Sequence, residues 1–97
     1  MSTYIILINY TAQGIKNIKE SPARFDVAKK AIQAMGADIK QVFLTIGQYD
    51  LVVIAEAPDD ETIAKFLLAT GSLGNVSTQT MRAFNEDEFR SIVAGLP

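Results

Sequence analysis

The sequence holds 97 residues, 48% of them hydrophobic, with nine Lys and Arg against eleven Asp and Glu for a formal charge of −2. A chain of this length is expected to build one compact domain over residues 1–97, and the absence of cysteine and histidine excludes disulfides, thiolate metal sites and Cys- or His-based catalysis. No basic run is present to neutralise a series of phosphates, so nucleic acid is not an expected partner, and neither a metal nor a cofactor is expected. The apolar run after Met1-Ser2-Thr3 is too short for a signal segment, and no stretch approaches the ~20 apolar residues of a membrane span. A cytoplasmic protein with no membrane partner is the expectation.

Taken in chain order, Tyr4 to Tyr10 is nearly continuous apolar sequence rich in isoleucine, the pattern of a strand covered on both faces. Thr11 offers a cap for a short helix over Ala12 to Lys19, weakened by Gly14. Ser21-Pro22 signals a second helix start, from which Phe25, Ala28, Ile32 and Met35 share one face until Gly36. Ala37 to Ile46 alternates, with Val42, Leu44 and Ile46 on one side and Gln41, Phe43 and Thr45 on the other, as an edge strand does. Gly47-Gln48 suggests a tight reversal into a second buried strand, Tyr49 to Ala57. Asp59 or Asp60 is expected to cap a helix carrying Ile63, Phe66, Leu67 and Thr70, ended by Gly71 and Gly74. A second edge strand follows over Asn75 to Phe84, with Val76, Thr78, Thr80 and Arg82 on one side and Ser77, Gln79 and Met81 on the other. Asn85 and Glu88 form a capping-box pattern before a short terminal helix carrying Phe89, Ile92 and Val93.

The order strand, helix, strand, strand, helix, strand predicts an α+β, ferredoxin-like βαββαβ fold: a four-stranded antiparallel sheet in the order 4-1-3-2, with a short C-terminal helix. The two most apolar strands, first and third, then lie at the centre. Two helices cover one face of such a sheet, which leaves the other face apolar and open. Exposed apolar area of that extent predicts self-association, face to face, as a dimeric α+β barrel or a higher homo-oligomer. The competing expectation is a monomer whose terminal helix folds back over the bare face.

Ser21-Pro22-Ala23-Arg24, Gly47-Gln48-Tyr49-Asp50, Ala57-Pro58-Asp59-Asp60-Glu61, Gly74-Asn75-Val76 and Arg82-Ala83-Phe84 form a set whose order and spacing resemble the GYD-domain family, over nearly the whole chain. The resemblance implies a dimeric ferredoxin-like domain and names no activity. A more distant likeness, carried by Gly47, Tyr49, Asp50, Val76 and Thr80, is to the effector-binding domains of leucine-responsive transcription regulators. Those regulators bind DNA through a separate helix-turn-helix segment that has no counterpart in this sequence, so the likeness does not imply DNA recognition.

Tyr49 and Asp50 are the candidate catalytic pair, a hydrogen-bond donor beside a base; as neighbours on a strand, however, they point to opposite faces, and a structural reading suits them too, with tyrosine packing and aspartate satisfying backbone amides. Lys16, Asn17, Lys19 and Arg24 are candidates to receive an anion near a helix start, although a solvated helix face is the preferred reading. Asn9, Thr78, Thr80 and Arg82 are candidate ligand-binding groups in a pocket between sheet and helices, or polar pairs across an interface. The acidic clusters Asp59-Asp60-Glu61 and Glu86-Asp87-Glu88 sit at helix starts, where capping accounts for them. Three functions follow from these residues: a homo-oligomeric small-ligand-binding or regulatory module, a cofactor-independent enzyme acting like a monooxygenase or isomerase on a small organic substrate, or an assembly protein. The first is the preferred expectation, because the chain builds an interface without a strong catalytic set.

Overall fold

Isoleucine-rich sequence near the N-terminus forms β1 (Ser2–Tyr10), where β-branched side chains suit the pleated surface. In the computed structural model, which describes residues 1–97, it is followed by α1 (Ala12–Lys16), a 3₁₀ turn (Ile18–Glu20), α2 (Ser21–Ala34), β2 (Asp38–Leu44), β3 (Leu51–Ala57), α3 (Asp60–Ser72), β4 (Val76–Ala83) and α4 (Glu86–Ala94). The strands form one antiparallel sheet in the order β2-β3-β1-β4, the expected order read from the opposite edge.

Alternation along β1 and β3 divides the sheet into two faces. Tyr4, Ile6 and Ile8 of β1 and Leu51, Val53, Ala55 and Ala57 of β3 are buried beneath α2 and α3, which contribute Ile32, Ile63 and Phe66. Removing each large side chain of this set from water contributes ~1.5–3 kcal/mol, which is what holds the two helices on the sheet. The intervening residues, Ile5, Leu7, Val52 and Ile54, lie on the other face and are only half-buried. Burial on both faces, expected for the two central strands, is therefore incomplete within one chain, because no helix covers the second face.

Capping follows the sequence closely in three places. Asp59 accepts the Thr62 amide at 2.8 Å at the start of α3, Gly36 takes φ +83° just beyond α2, and the Asn85–Glu88 capping box is complete, at 2.8 and 3.0 Å.

Four expectations need correction. The helix expected over Ala12–Lys19 gives way after Lys16 to the 3₁₀ turn, which runs straight into α2. Ser21 therefore provides no side-chain cap, and its hydroxyl bonds that of Tyr10 at 2.7 Å instead. The reversal at Gly47-Gln48 is a loop over residues 45–50 rather than a two-residue turn, closed where the Thr45 amide donates to the Asp50 carbonyl at 2.9 Å. Finally, the alternation of β2 is interrupted at Lys40, where the register shifts between Ile39 and Gln41. That bulge lets Ile39 pair with buried Ala55 while Val42 and Leu44 still pair with Val53 and Leu51, so all three face the helices.

The terminal helix does not fold back over the bare face in the way the monomeric expectation requires. No residue of α4 is buried, its side-chain hydrogen bonds stay within its own turns, and Phe89, Ile92 and Val93 are about half exposed.

Candidate functional site

The uncovered face carries Ile5 and Leu7 from β1, Phe43 from β2, Val52 and Ile54 from β3 and Met81 from β4, placed together by strand register. Phe43 and Met81 are 49% and 44% exposed. Polar residues interrupt this surface at one end, where the Gly47–Asp50 loop bends over the sheet. The Tyr49 hydroxyl donates to the Gln79 side-chain oxygen at 2.7 Å, roofing a shallow polar basin lined by Asn9, Gln48, Ser77 and Gln79 over Leu7.

The loop's conformation explains why its residues stand where they do. Gly47 adopts φ +151°, within the range that favours glycine. The Thr45 hydroxyl donates to the Tyr49 carbonyl at 2.5 Å, and the Asp50 amide donates to the Ile8 carbonyl at 2.9 Å and to the Asn9 side-chain oxygen at 3.2 Å. The Asp50 carboxylate accepts the Tyr10 amide at 2.9 Å. Asn9, Tyr49 and Asp50 are thus gathered at one end of the sheet, but Tyr49 reaches across to β4 while Asp50 is committed to β1 backbone. They do not address a common point.

The other candidates are distributed elsewhere. Arg24 donates to Glu20 at 2.5 Å and to the Asn17 carbonyl at 3.4 Å, the Asn17 side-chain amide donates to the Gln13 carbonyl at 3.1 Å, and Lys16 and Lys19 are exposed. Register places Thr78, Thr80 and Arg82 on the helix-covered face and Asn9 on the other, and although residue Thr78 also borders the basin that Asn9 lines, Thr80 and Arg82 do not, so the four groups do not share one pocket. The Thr80 hydroxyl is buried without a hydrogen-bond partner. Arg82 stacks over Phe84 at 4.3 Å and lies 5.9 Å from the Tyr4 ring, donating to the Ala83 carbonyl. Gln48, Ser77 and Gln79 were not among the candidates; the signal for the last two was the polar alternation of β4 on the face opposite Thr78.

Three groups are perturbed through contacts that hold the fold. Burial raises the Tyr4 phenol above its ordinary value, reinforced by the hydrogen bond it donates to Asp60 and by that carboxylate's charge, with Arg82 opposing. Asp38 is lowered by hydrogen bonds from Lys40 and then Gln33, and Asp59 by its bonds from Thr62. No cluster of carboxylates suited to a metal ion is present.

A βαββαβ sheet, helices on one face and an apolar surface on the other, defines a ferredoxin-like α+β module. Residues 4–93 match the model of the GYD domain, and the chain belongs to that family. A protein of Thermus thermophilus described as a glutamine synthetase and cystathionine β-lyase binding protein is 31% identical over 84 residues, covering 86% of this chain and 88% of the relative. Among solved structures, a feast or famine regulatory protein of M. tuberculosis in complex with L-methionine superposes with a TM-score of 0.66 at 13% identity, over 88% of this chain and 51% of that one. The chain thus spans about half the length of that regulator. A hypothetical protein of Pyrococcus horikoshii gives a TM-score of 0.56 at 23% identity, over 89% and 93% of the two chains. These two structures share the fold. In the chain itself, no helix is long and apolar enough to cross a membrane.

Proposed function

We propose that residues 1–97 act as a self-associating binding module, which pairs with a second copy through the bare sheet face and engages its partners without chemistry of its own. The observation that carries this reading is the apolar surface of Ile5, Leu7, Phe43, Val52, Ile54 and Met81, which nothing in the chain covers. Four strands spaced ~4.8 Å apart, each seven or more residues at ~3.3 Å, present roughly 450 Å² in projection. Side-chain relief and the exposed apolar side of α4 bring this towards the ~800 Å² per partner of a stable interface. A binding role is supported by the Thermus relative, whose description names two enzymes it binds. The polar basin beneath Tyr49 would then lie at the rim of the paired sheets, where its Asn9, Gln48, Ser77 and Gln79 side chains could receive a small polar ligand. Catalysis is less well supported, because Tyr49 and Asp50 are engaged with Gln79 and the Tyr10 amide.

Light scattering coupled to size exclusion tests the first half. A dimer or larger assembly of the 10.6 kDa chain is expected at micromolar concentration, and Phe43→Asp or Ile54→Lys should release monomers with unchanged circular dichroism. A wild-type monomer at that concentration would refute self-association. The second half is tested by co-sedimentation with purified glutamine synthetase and cystathionine β-lyase, where failure of both to sediment with an intact oligomer would reject the relative's partners for this chain.

A further inference from the structure

Across the sheet from that surface, residues of α2, α3 and the strands line an apolar cavity of about 220 Å³. Ile6, Ile8 and Val53 form its floor, and Phe25, Ala28 and Phe66 contribute to its walls. Val27 and Leu73 also line it while remaining 68% and 67% exposed, so the cavity opens to solvent between hydrophobic side chains. Its polar groups include Tyr10 and Ser21, whose hydroxyls satisfy each other at 2.7 Å, and Arg24, which reaches Glu20 at 2.5 Å and the Asn17 carbonyl at 3.4 Å.

We propose that this cavity binds a hydrophobic monocarboxylate, with its hydrocarbon body between α2 and α3 and its carboxylate on Arg24. Volume sets the size of the ligand. An apolar cavity of ~150 Å³ accepts benzene in preference to water, so a space about half as large again takes roughly ten non-hydrogen atoms at interior packing density. An acid of about eight carbons meets that limit. Charge selects the head group: Arg24 is the cation among the cavity's lining residues, and its planar fork matches a carboxylate. Glu20 holds that fork through an exposed side chain, 68% accessible, and such surface pairs contribute little. A carboxylate delivered with a buried hydrocarbon tail displaces Glu20 at small cost. This site lies on the helix-covered face and does not require the self-association proposed above.

The test is titration of the full chain with octanoate, followed by calorimetry and by methyl resonances of isoleucine and valine. Saturable binding is expected, with shifts at Ile6, Ile8 and Val27, and 1-octanol should bind several-fold more weakly than the acid. Ala28→Phe places a ring in the cavity and is expected to weaken both ligands by about tenfold or more; Ala31→Leu, at another lining position, gives a second obstruction if that variant fails to fold. Arg24→Gln should weaken octanoate about fivefold or more and leave 1-octanol unchanged, whereas Glu20→Gln, which frees the guanidinium, should strengthen octanoate. Absence of saturable binding at millimolar octanoate overturns the proposal. So do shifts confined to Ile5 and Ile54 on the opposite face, equal octanoate affinity in Arg24→Gln, or cavity-methyl shifts that depend on protein concentration alone and so reveal a second copy as the occupant.

Discussion

Gly14 and Asn75 touch so closely that a Cβ on Gly14 would stand 2.0 Å from the Asn75 carbonyl oxygen. That carbonyl accepts the Thr11 amide at 3.0 Å, and the neighbouring Gly74 carbonyl accepts the Thr11 hydroxyl at 2.6 Å. Gln13 adds bonds to the Leu73 carbonyl and to the Asn75 side chain, at 3.1 and 2.9 Å. Through these contacts α1 grips the turn between α3 and β4.

Gly14→Ala should therefore destabilise the protein, although alanine is the better helix former by ~1 kcal/mol. The clash is with backbone held by hydrogen bonds, and overpacking of that kind costs ~1–3 kcal/mol. Urea denaturation reads the difference, and a raised midpoint would show that α1 can move away from Asn75 freely.

Tyr4→Phe keeps the buried ring but removes the hydroxyl that Asp60 accepts. Because Asp60 is exposed and rehydrates, the expected cost is only about 1 kcal/mol. The pH dependence is more distinctive. The folded phenol is raised above its unfolded value, so its stabilisation is complete below about pH 10 and is lost as pH rises from there through the folded value. Wild type should lose stability in that alkaline window more steeply than Tyr4→Phe; parallel profiles would contradict the assignment.

Asp59 and Asp38 act at the other end of the scale. Both are lowered, so the stability they contribute is present above about pH 4 and disappears as pH falls through their folded values. Asp59→Asn should be less stable than wild type at pH 7 and converge on it in acid, a comparison made by thermal melts at stepped pH.

Asp50→Ala deprives the Tyr10 amide of its carboxylate partner and should cost ~1–3 kcal/mol. Asp50→Asn, which keeps an oxygen acceptor, should cost less. Hydrogen exchange at the Tyr10 amide gives the local readout: it should accelerate in the alanine variant while amides at the β1–β3 centre stay protected.

Loss of the Asn85 cap in Asn85→Ala is expected to weaken α4 by about 1 kcal/mol. Since α4 buries none of its residues in its own chain, the monomer's melting temperature should barely change, and under the self-association proposed above the loss should emerge instead as weaker pairing of the two copies. A large fall in monomer stability would mean that α4 packs on its own body.

The composition of the central strands, the Asp59 cap, the Asn85–Glu88 box and the Gly36 stop were all legible in the residues, because each depends on interactions within a few positions or on a repeat of two, and strand order followed from the succession of elements with the two most apolar strands at the centre. The Gly47-Gln48-Tyr49-Asp50 segment was legible as a distinctive motif, and so was the family that it marks. Contacts across the fold decided the rest. Gly14, which weakens a helix when read locally, is required by a carbonyl 61 positions away. Ser21 has no capping role because the 3₁₀ turn continues directly into α2, which leaves its hydroxyl to Tyr10, and the Lys40 bulge arose from pairing with β3. Asn9 and Thr80 fell on opposite faces because register, which depends on both strands, places Ser77 rather than Thr78 beside Asn9. Alternation in one strand shows that two faces exist; the partner strand and the helices determine which face is buried and which side chains meet.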